Sequence, residues 1–241
     1  MNQLIENCLS LKSLLNMNGS PVSIKYCNEI SQHFFVGDQV VCQSLQDARY
    51  GTEVALSKDN SKCSGGSYFL GLLEFDSKIL DFWTSIEKTH ENLCSAVNFV
   101  RNTPQPPTSI SKYITFSPIE KSVITPDLVV FFCNPAQAAR LMGLHVFRKG
   151  CPSKIYSYTA ACAASIGIPM VSGDLHVSFI DNSARYIASF DEDELIISIP
   201  AHQIESIASS VKDCIWGTAE APYSEIEKRL KGSWKLQKLK K

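Results

Sequence analysis

The chain has 241 residues, of which 44% are hydrophobic and 20% charged, with a formal net charge of −1 at pH 7. A chain of this size can bury a sizeable core. Its net charge gives no overall attraction to nucleic acid or to an anionic membrane, and no apolar run approaches the roughly 18 residues of a membrane helix. The N-terminal segment has Glu6 and lacks the basic start of a signal peptide, so we expect a soluble cytoplasmic protein.

Nine cysteines are the unusual feature of the composition. In a reducing cytoplasm they stay free, and a free cysteine is often a small buried hydrophobe. Cys8, Cys94 and Cys214 lie in apolar, helix-like surroundings and are predicted core residues. The remaining candidates for chemistry stand at the ends of predicted elements, where ligands and active sites gather. They are Cys42, Cys63, Cys133, Cys151 and Cys162.

In the first half of the chain, helical spacing alternates with strand-like segments. Residues 3–17 are spaced like a helix, and residues 21–27 alternate like a strand. The apolar residues of 40–56 can share one helix face, which Gly51 interrupts. Residues 77–101 also predict a helix, and a Pro-rich linker follows it.

Cys63 stands beside Gly65 and Gly66, close to a predicted helix start. Backbone N–H groups at such a position can lower the pKa of a thiol, which favours a nucleophile or a metal ligand. The alternative is that the glycines form a turn and Cys63 is a core residue.

Residues 126–133 form a continuous apolar run, typical of a strand buried on both faces. The run ends in Cys133, and Asn134 and Pro135 then suit the N-cap and first position of a helix. A strand end beside a helix N-terminus favours an anion or another ligand.

The last third predicts three short strands, 175–180, 184–190 and 194–199, joined by polar turns into an antiparallel meander. The whole pattern predicts an α+β fold, with a mixed sheet, a closing antiparallel meander and helices packed on the sheet. We expect residues 1–221 to form a single domain and residues 222–241 to form a basic amphipathic tail.

Several familiar motifs are missing from the sequence. There is no GxGxxG, GxxxxGK[ST], CxxC, HExxH or GxSxG. The sequence therefore gives no support for a nucleotide loop, a zinc ribbon, a thioredoxin-like site or a serine-hydrolase elbow, although other enzyme classes stay open.

The order of several segments resembles the archaeal and bacterial family called domain of unknown function 169, or the ArCR group. The segments that carry the resemblance are Pro21-Val-Ser-Ile-Lys25, Cys42-Gln43, Cys63 followed by Gly66 and Leu70-Gly71-Leu72, Asp127–Leu141, Arg185, and Asp193-Glu194-Leu195 running to Pro200. Within Asp127–Leu141, the run Asn-Pro-Ala-Gln-Ala-Ala-Arg-Leu is the most specific. The resemblance covers about residues 8–213.

The resemblance implies a single α+β domain in a soluble cytoplasmic protein, without an established activity. Family members usually carry a Ser-x-Gly-Cys-x-Gly-x-Arg segment before the second strand of the meander. Here that segment is Ser178–Arg185, and Asp181 stands at the cysteine position. If the family's cysteine binds a metal, this chain has lost that ligand or replaced it with an oxygen ligand.

Three functions are compatible with these residues. The first is binding of an iron–sulfur cluster or another thiolate-bound metal, because dispersed cysteines can form such a site when the fold gathers them. Its predicted ligands are Cys42, Cys63, Cys133 and Asp181, with Cys151 or Cys162 as a further thiol.

The second function is an enzyme that acts on a small molecule through Cys63 or Cys133, activated by a helix N-terminus or by a nearby arginine. The third is a binding module without catalysis, which holds a small anionic ligand. Its predicted contacts, which would equally position a polar cofactor edge, are Asn134, Arg140 and Arg185.

Overall fold

The computed structural model of the chain describes residues 1–156, 160–217 and 228. Within these residues, a six-stranded sheet with helices on both faces confirms the predicted α+β fold. The strands are β1 (Val22–Cys27), β2 (Val54–Leu56), β3 (Tyr113–Pro118), β4 (Leu128–Cys133), β5 (His176–Phe179) and β6 (Leu195–Pro200). The helices are α1 (Asn2–Leu14), α2 (Val41–Arg49), α3 (Ser64–Phe69), α4 (Lys78–Asp81), α5 (Leu93–Asn102), α6 (Pro135–Lys149), α7 (Ile168–Ser172), α8 (Asn182–Ala188) and α9 (Ile204–Ser209).

Strand order in the sheet is β2-β3-β1-β4-β6-β5, and each neighbouring pair is antiparallel. The prediction of a mixed sheet is therefore wrong for these strand pairs. In the described part of the chain, parallel pairing is confined to two isolated bridges, Phe35 with Val54 and Gln39 with Ser61.

The two faces of the sheet carry separate cores, because neighbouring side chains of a strand point to opposite faces. In β4, Phe132 belongs to the core on one face and Cys133 to the core on the other. We call the face of Phe132 the front face; α2, α3 and α8 contribute to its core. The opposite, back face is covered by α1, α6 and α9.

Helix α6 begins as predicted, with Asn134 as its N-cap and Pro135 as its first residue. The Asn134 side chain accepts a hydrogen bond from Gln137 N at 2.9 Å, and Gln137 Oε1 accepts one from Asn134 N at 2.8 Å. This reciprocal capping box satisfies two N–H groups that the helix leaves free.

Residues 184–190 do not form the predicted middle strand of the meander. Most of them lie in α8, because Asp181 caps that helix by accepting a hydrogen bond from Ala184 N at 2.8 Å. The helix ends at Ala188, and its C-cap residue Ser189 has a left-handed φ of 54°. Strands β5 and β6 still pair antiparallel, so α8 connects the two strands.

Two predicted helices are interrupted. Gly51 has a φ of +111° and separates α2 from Val54–Leu56, which form a strand paired with β3. The predicted helix over 77–101 divides into α4, a π-helix at Phe82–Ile86, and α5.

No helix in the described segments has the length and apolarity needed to cross a membrane. Most of the predicted basic tail, 222–241, lies outside the described residues.

Candidate functional site

Three thiols approach one another on the front face of the sheet: Cys42, Cys63 and Cys162. Gly66 lies between two of them. A Cβ at Gly66 would stand 3.2 Å from Cys63 Sγ, 3.6 Å from Cys162 Sγ and 3.1 Å from Val41 Cγ2. Cys42 interacts electrostatically with both Cys63 and Cys162. We refer to these three residues as the thiol cluster.

Each thiol of the cluster is placed by the start of a helix. Cys42 is the second residue of α2, and Cys63 is the N-cap of α3, where its Sγ accepts a hydrogen bond from Gly66 N at 3.2 Å. Cys162 lies at the beginning of a helical run that continues through the π-helix Ala163–Gly167 into α7. All three side chains are half-buried.

Asp181 lies beside the cluster and contributes to the electrostatics of all three thiols. Its two oxygens already accept backbone hydrogen bonds, Oδ1 from Ala184 N at 2.8 Å and Oδ2 from Ala161 N at 2.9 Å. Asp181 therefore ties the first turn of α8 to the segment that carries Cys162.

Burial keeps the cluster thiols protonated. It raises the pKa of Cys42 to about 12 and the pKa of Cys162 well above its ordinary value, and it raises the pKa of Cys63 as well. The backbone N–H of Gly66 lowers the Cys63 pKa, as the sequence suggested, but desolvation is the larger effect.

The ionisable side chains that act on the cluster thiols all push their pKa values upward. They are the cluster thiols themselves, Asp181 and, for Cys63, also Glu87. Backbone N–H groups supply the opposing effect. An activated nucleophile needs a depressed pKa, so this environment does not favour the cysteine-enzyme hypothesis.

Aromatic side chains form one wall next to the cluster. A Cβ at Gly65 would lie 3.1 Å from Trp83 Cζ2. The Trp83 ring stacks on Phe69 with centroids 6.0 Å apart, and the Phe99 ring meets both edge-on. Trp83 lies within the segment 77–101 that the sequence predicts as a helix, and its position beside the thiols depends on tertiary packing.

Cys133, predicted as a third thiol ligand, is separated from Cys42 and Cys63 by the sheet. It is buried in the back-face core, where its Sγ lies 3.7 Å from Leu195 O. Burial raises the Cys133 pKa to about 12. Cys162, which the sequence offered only as one of two further thiols, is the one that the fold brings to the other two, whereas Cys151 is exposed.

The predicted anion contacts are engaged in holding the fold. Asn134 caps α6, and Arg140 donates from Nε to Trp216 O at 3.3 Å. Arg185 donates to the carbonyl oxygens of Ile180, Asp191 and Glu194. For Asn134 and Arg185 these contacts do not favour the hypothesis of an anion-binding module, whereas Arg140 Nη2 is buried without a hydrogen-bond partner among the described residues.

Among the residues that the structure describes, no three His, Cys, Asp or Glu side chains are arranged so that they could hold a metal ion as they stand. The thiol cluster is therefore a convergence of thiols and not a preformed coordination shell.

Comparison with known proteins identifies the family. The model of domain of unknown function 169, described as uncharacterised ArCR, matches residues 10–210. The chain belongs to this family. A protein of Methanocaldococcus jannaschii, described only as uncharacterized, is 20% identical over 222 residues, covering 88% of this chain and 95% of the relative. No solved structure matches the chain.

Proposed function

We propose that this family member binds a thiophilic metal ion or an iron–sulfur cluster through the thiolates of Cys42, Cys63 and Cys162. The observation that carries the proposal is that Cys63 and Cys162 approach each other around Gly66 and that Cys42 interacts electrostatically with both, although the three residues come from separate segments of the chain. Thiolates are the ligands that zinc, copper(I) and iron–sulfur clusters prefer. In this proposal Cys162 takes the place that the sequence suggested for Cys133.

The charge around the cluster supports a cation as its ligand. Asp181 and Glu87 are acidic, and each deprotonated cysteine adds a further negative charge. A metal ion compensates that charge and displaces the thiol protons, so binding releases protons and strengthens as pH rises. Without a metal, the raised pKa values keep the cysteines neutral and unreactive.

Binding in this proposal requires adjustment of the thiol side chains, because they do not stand at ligand distances. All three residues are half-buried. Each sulfur can turn about its Cα–Cβ bond while its helix start stays in place. Both oxygens of Asp181 already accept backbone N–H groups, so we assign Asp181 a supporting role beside the ligands.

The first test is metal and acid-labile sulfide analysis of protein purified without oxygen, followed by titration of the metal-free protein with Co²⁺. We expect bound metal, and with Co²⁺ an absorption from sulfur-to-cobalt charge transfer. Changing Cys42, Cys63 or Cys162 to Ser should each weaken binding at least 10-fold.

Cys133→Ser is the matched control, because Cys133 is also a buried thiol with a raised pKa but belongs to the back-face core. It should bind metal as the wild type does. Metal-free protein that shows no sulfur-to-cobalt absorption would overturn the proposal. Loss of binding in Cys133→Ser with retention in Cys162→Ser would overturn the assignment of ligands.

A further inference from the structure

The Arg140 guanidinium has a buried nitrogen that makes no hydrogen bond. Its Nε donates to Trp216 O at 3.3 Å, whereas its Nη2 is buried and pairs with no acceptor among the described residues. Burial lowers the Arg140 pKa, and in the same part of the chain no carboxylate raises it. An arginine keeps its charge in proteins, and a buried charge is normally paired. Arg140 therefore has a charged donor that is free to bind an anion.

An apolar groove lies between α6 and the segment 213–216. Its volume is about 350 Å³, which lies within the range of about 300–1,000 Å³ that is usual for small-molecule sites. The lining includes Gly143, Val146, Phe147, Asp213, Ile215 and Trp216. A Cβ at Gly143 would stand 2.5 Å from Trp216 Cγ, so the glycine lets the indole lie directly against the backbone of α6.

Arg140 stands at one end of this groove. It precedes Gly143 by three residues, so both lie on the same face of α6. The hydrogen bond to Trp216 O holds the guanidinium beside the groove wall. Toward the other end of the helix, Arg148 Nη2 lies 3.8 Å from Asp213 Oδ2, so the acid that lines the groove has a partner of its own. The groove thus combines apolar walls with the unpaired positive charge of Arg140.

We propose that this groove binds a small monocarboxylic acid, whose carboxylate pairs with Arg140 Nη2 and whose apolar part lies against Phe147 and Trp216. A guanidinium matches the planar geometry of a carboxylate. A single negative charge suits the groove, because Arg148 is already paired with Asp213. Turning the half-buried Arg140 side chain about its outer bonds presents Nη2 to the ligand while α6 stays in place.

This site is independent of the proposed metal site. Helix α6 covers the back face of the sheet, whereas the thiol cluster lies on the front face. The two proposals can therefore be tested and overturned separately.

The test compares octanoate with 1-octanol, which has a chain of the same length without the charge, by calorimetric titration of the full-length protein. We expect octanoate to bind about 10-fold more tightly than octanol, because a hydrogen bond between charged groups adds to the apolar contact. Arg140→Met keeps an apolar stem and removes the guanidinium. It should reduce octanoate binding to the level of octanol and leave octanol binding unchanged.

Arg148→Met is the matched control, because Arg148 is on the same helix but pairs with Asp213. It should bind octanoate as the wild type does. Equal affinity for the two compounds in the wild type, or unchanged octanoate affinity in Arg140→Met, would overturn the proposal. Loss of octanol binding in Arg140→Met would also overturn it, since Arg140 would then shape the groove.

A full-length protein that binds neither compound overturns the proposal as well. If a variant that ends at Gly217 then binds both, the occupant of the groove is the chain's own segment 218–241 and not a small acid.

Discussion

Arg49 Nη2 donates to Glu194 Oε1 at 2.5 Å, although 145 positions separate the two residues. Both side chains are almost fully buried, and the Arg49 guanidinium lies 4.5 Å over the Phe132 ring. Arg49 also donates to Gln46 Oε1 at 3.1 Å and to Asn18 O at 3.3 Å. The pair fastens α2, the helix that carries Cys42, to the start of β6.

Changing Arg49 to Met should lower the free energy of unfolding by about 3–5 kcal/mol, because it leaves the Glu194 carboxylate buried without its partner. Urea denaturation would measure the loss. Lys62→Met is the control, since Lys62 pairs with Asp38 at 3.0 Å while the two side chains are 52% and 70% exposed. It should change stability by less than about 1 kcal/mol. Adding Glu194→Gln to Arg49→Met should recover part of the lost stability, because it removes the unpaired buried carboxylate. A double variant as unstable as Arg49→Met would contradict this explanation.

Changing Gly66 to Ala should disturb the thiol cluster directly, because the new Cβ would press on Cys63 Sγ at 3.2 Å and Val41 Cγ2 at 3.1 Å. Overpacking of this kind costs about 1–3 kcal/mol of stability. We also expect at least 10-fold weaker Co²⁺ binding. Ser64→Ala, at an exposed position of the same helix, should alter neither quantity. If Gly66→Ala binds Co²⁺ as tightly as the wild type, the sulfurs of Cys63 and Cys162 can accommodate the added methyl group and the prediction is wrong.

Alkylation of the metal-free protein at pH 7.5 should label Cys94 and Cys151 first, because both are exposed. Cys42 should follow slowly, since its pKa is raised to about 12 and the reactive thiolate is scarce at this pH. Quenched labelling followed by peptide mass spectrometry gives the order. Fastest labelling at Cys63 or Cys162 would reverse the conclusion and favour a cysteine-dependent enzyme.

Stability should fall as the pH drops below about 6.5, because His176 is buried and burial lowers its pKa below the value in the unfolded chain. Below that pH the unfolded chain binds more protons than the folded one, so each such histidine removes up to about 1.4 kcal/mol per pH unit until its folded pKa is reached. The pKa of His145 is also lowered by burial and adds to the effect.

Urea unfolding at pH 7.5, 6.0 and 5.0 would measure this trend. His176→Gln should make the slope shallower. In the wild type, His176 Nε2 accepts a hydrogen bond from Tyr156 N at 2.9 Å, and protonation removes that acceptor. Equal stability at pH 7.5 and pH 5.0 would contradict the prediction.

The sequence correctly predicts a helix start where residues close together in the chain determine it. Asn134, Pro135 and Gln137 specify the start of α6, and the structure has the helix where they place it. The prediction of a strand at 184–190 is wrong. The apolar residues of this segment suit a strand, but the N-cap at Asp181 stabilises a helix instead. That cap could have been recognised from Asp181 and the two polar residues that follow it.

The membership of the thiol cluster could be predicted only in part. Cys42 and Cys63 were identified from their places at element ends, and both belong to the cluster. Strand β4 is buried on both faces, so its apolar run carries no sign of which face Cys133 occupies. The position of Cys162 beside the other two thiols depends on how a helical segment distant in the chain packs against the sheet. The spacing of residues along the sequence does not indicate this packing.

The three cysteines of the cluster are far apart along the chain, so a bound metal would also increase the stability of the fold. A metal bridging Cys42, Cys63 and Cys162 would close one loop of roughly 20 residues and another of roughly 100, and closing long loops removes entropy from the unfolded chain. The ion would then act as a reversible cross-link between segments on the front face. A chelator should accordingly make the protein easier to melt and to digest, in proportion to the metal it withdraws.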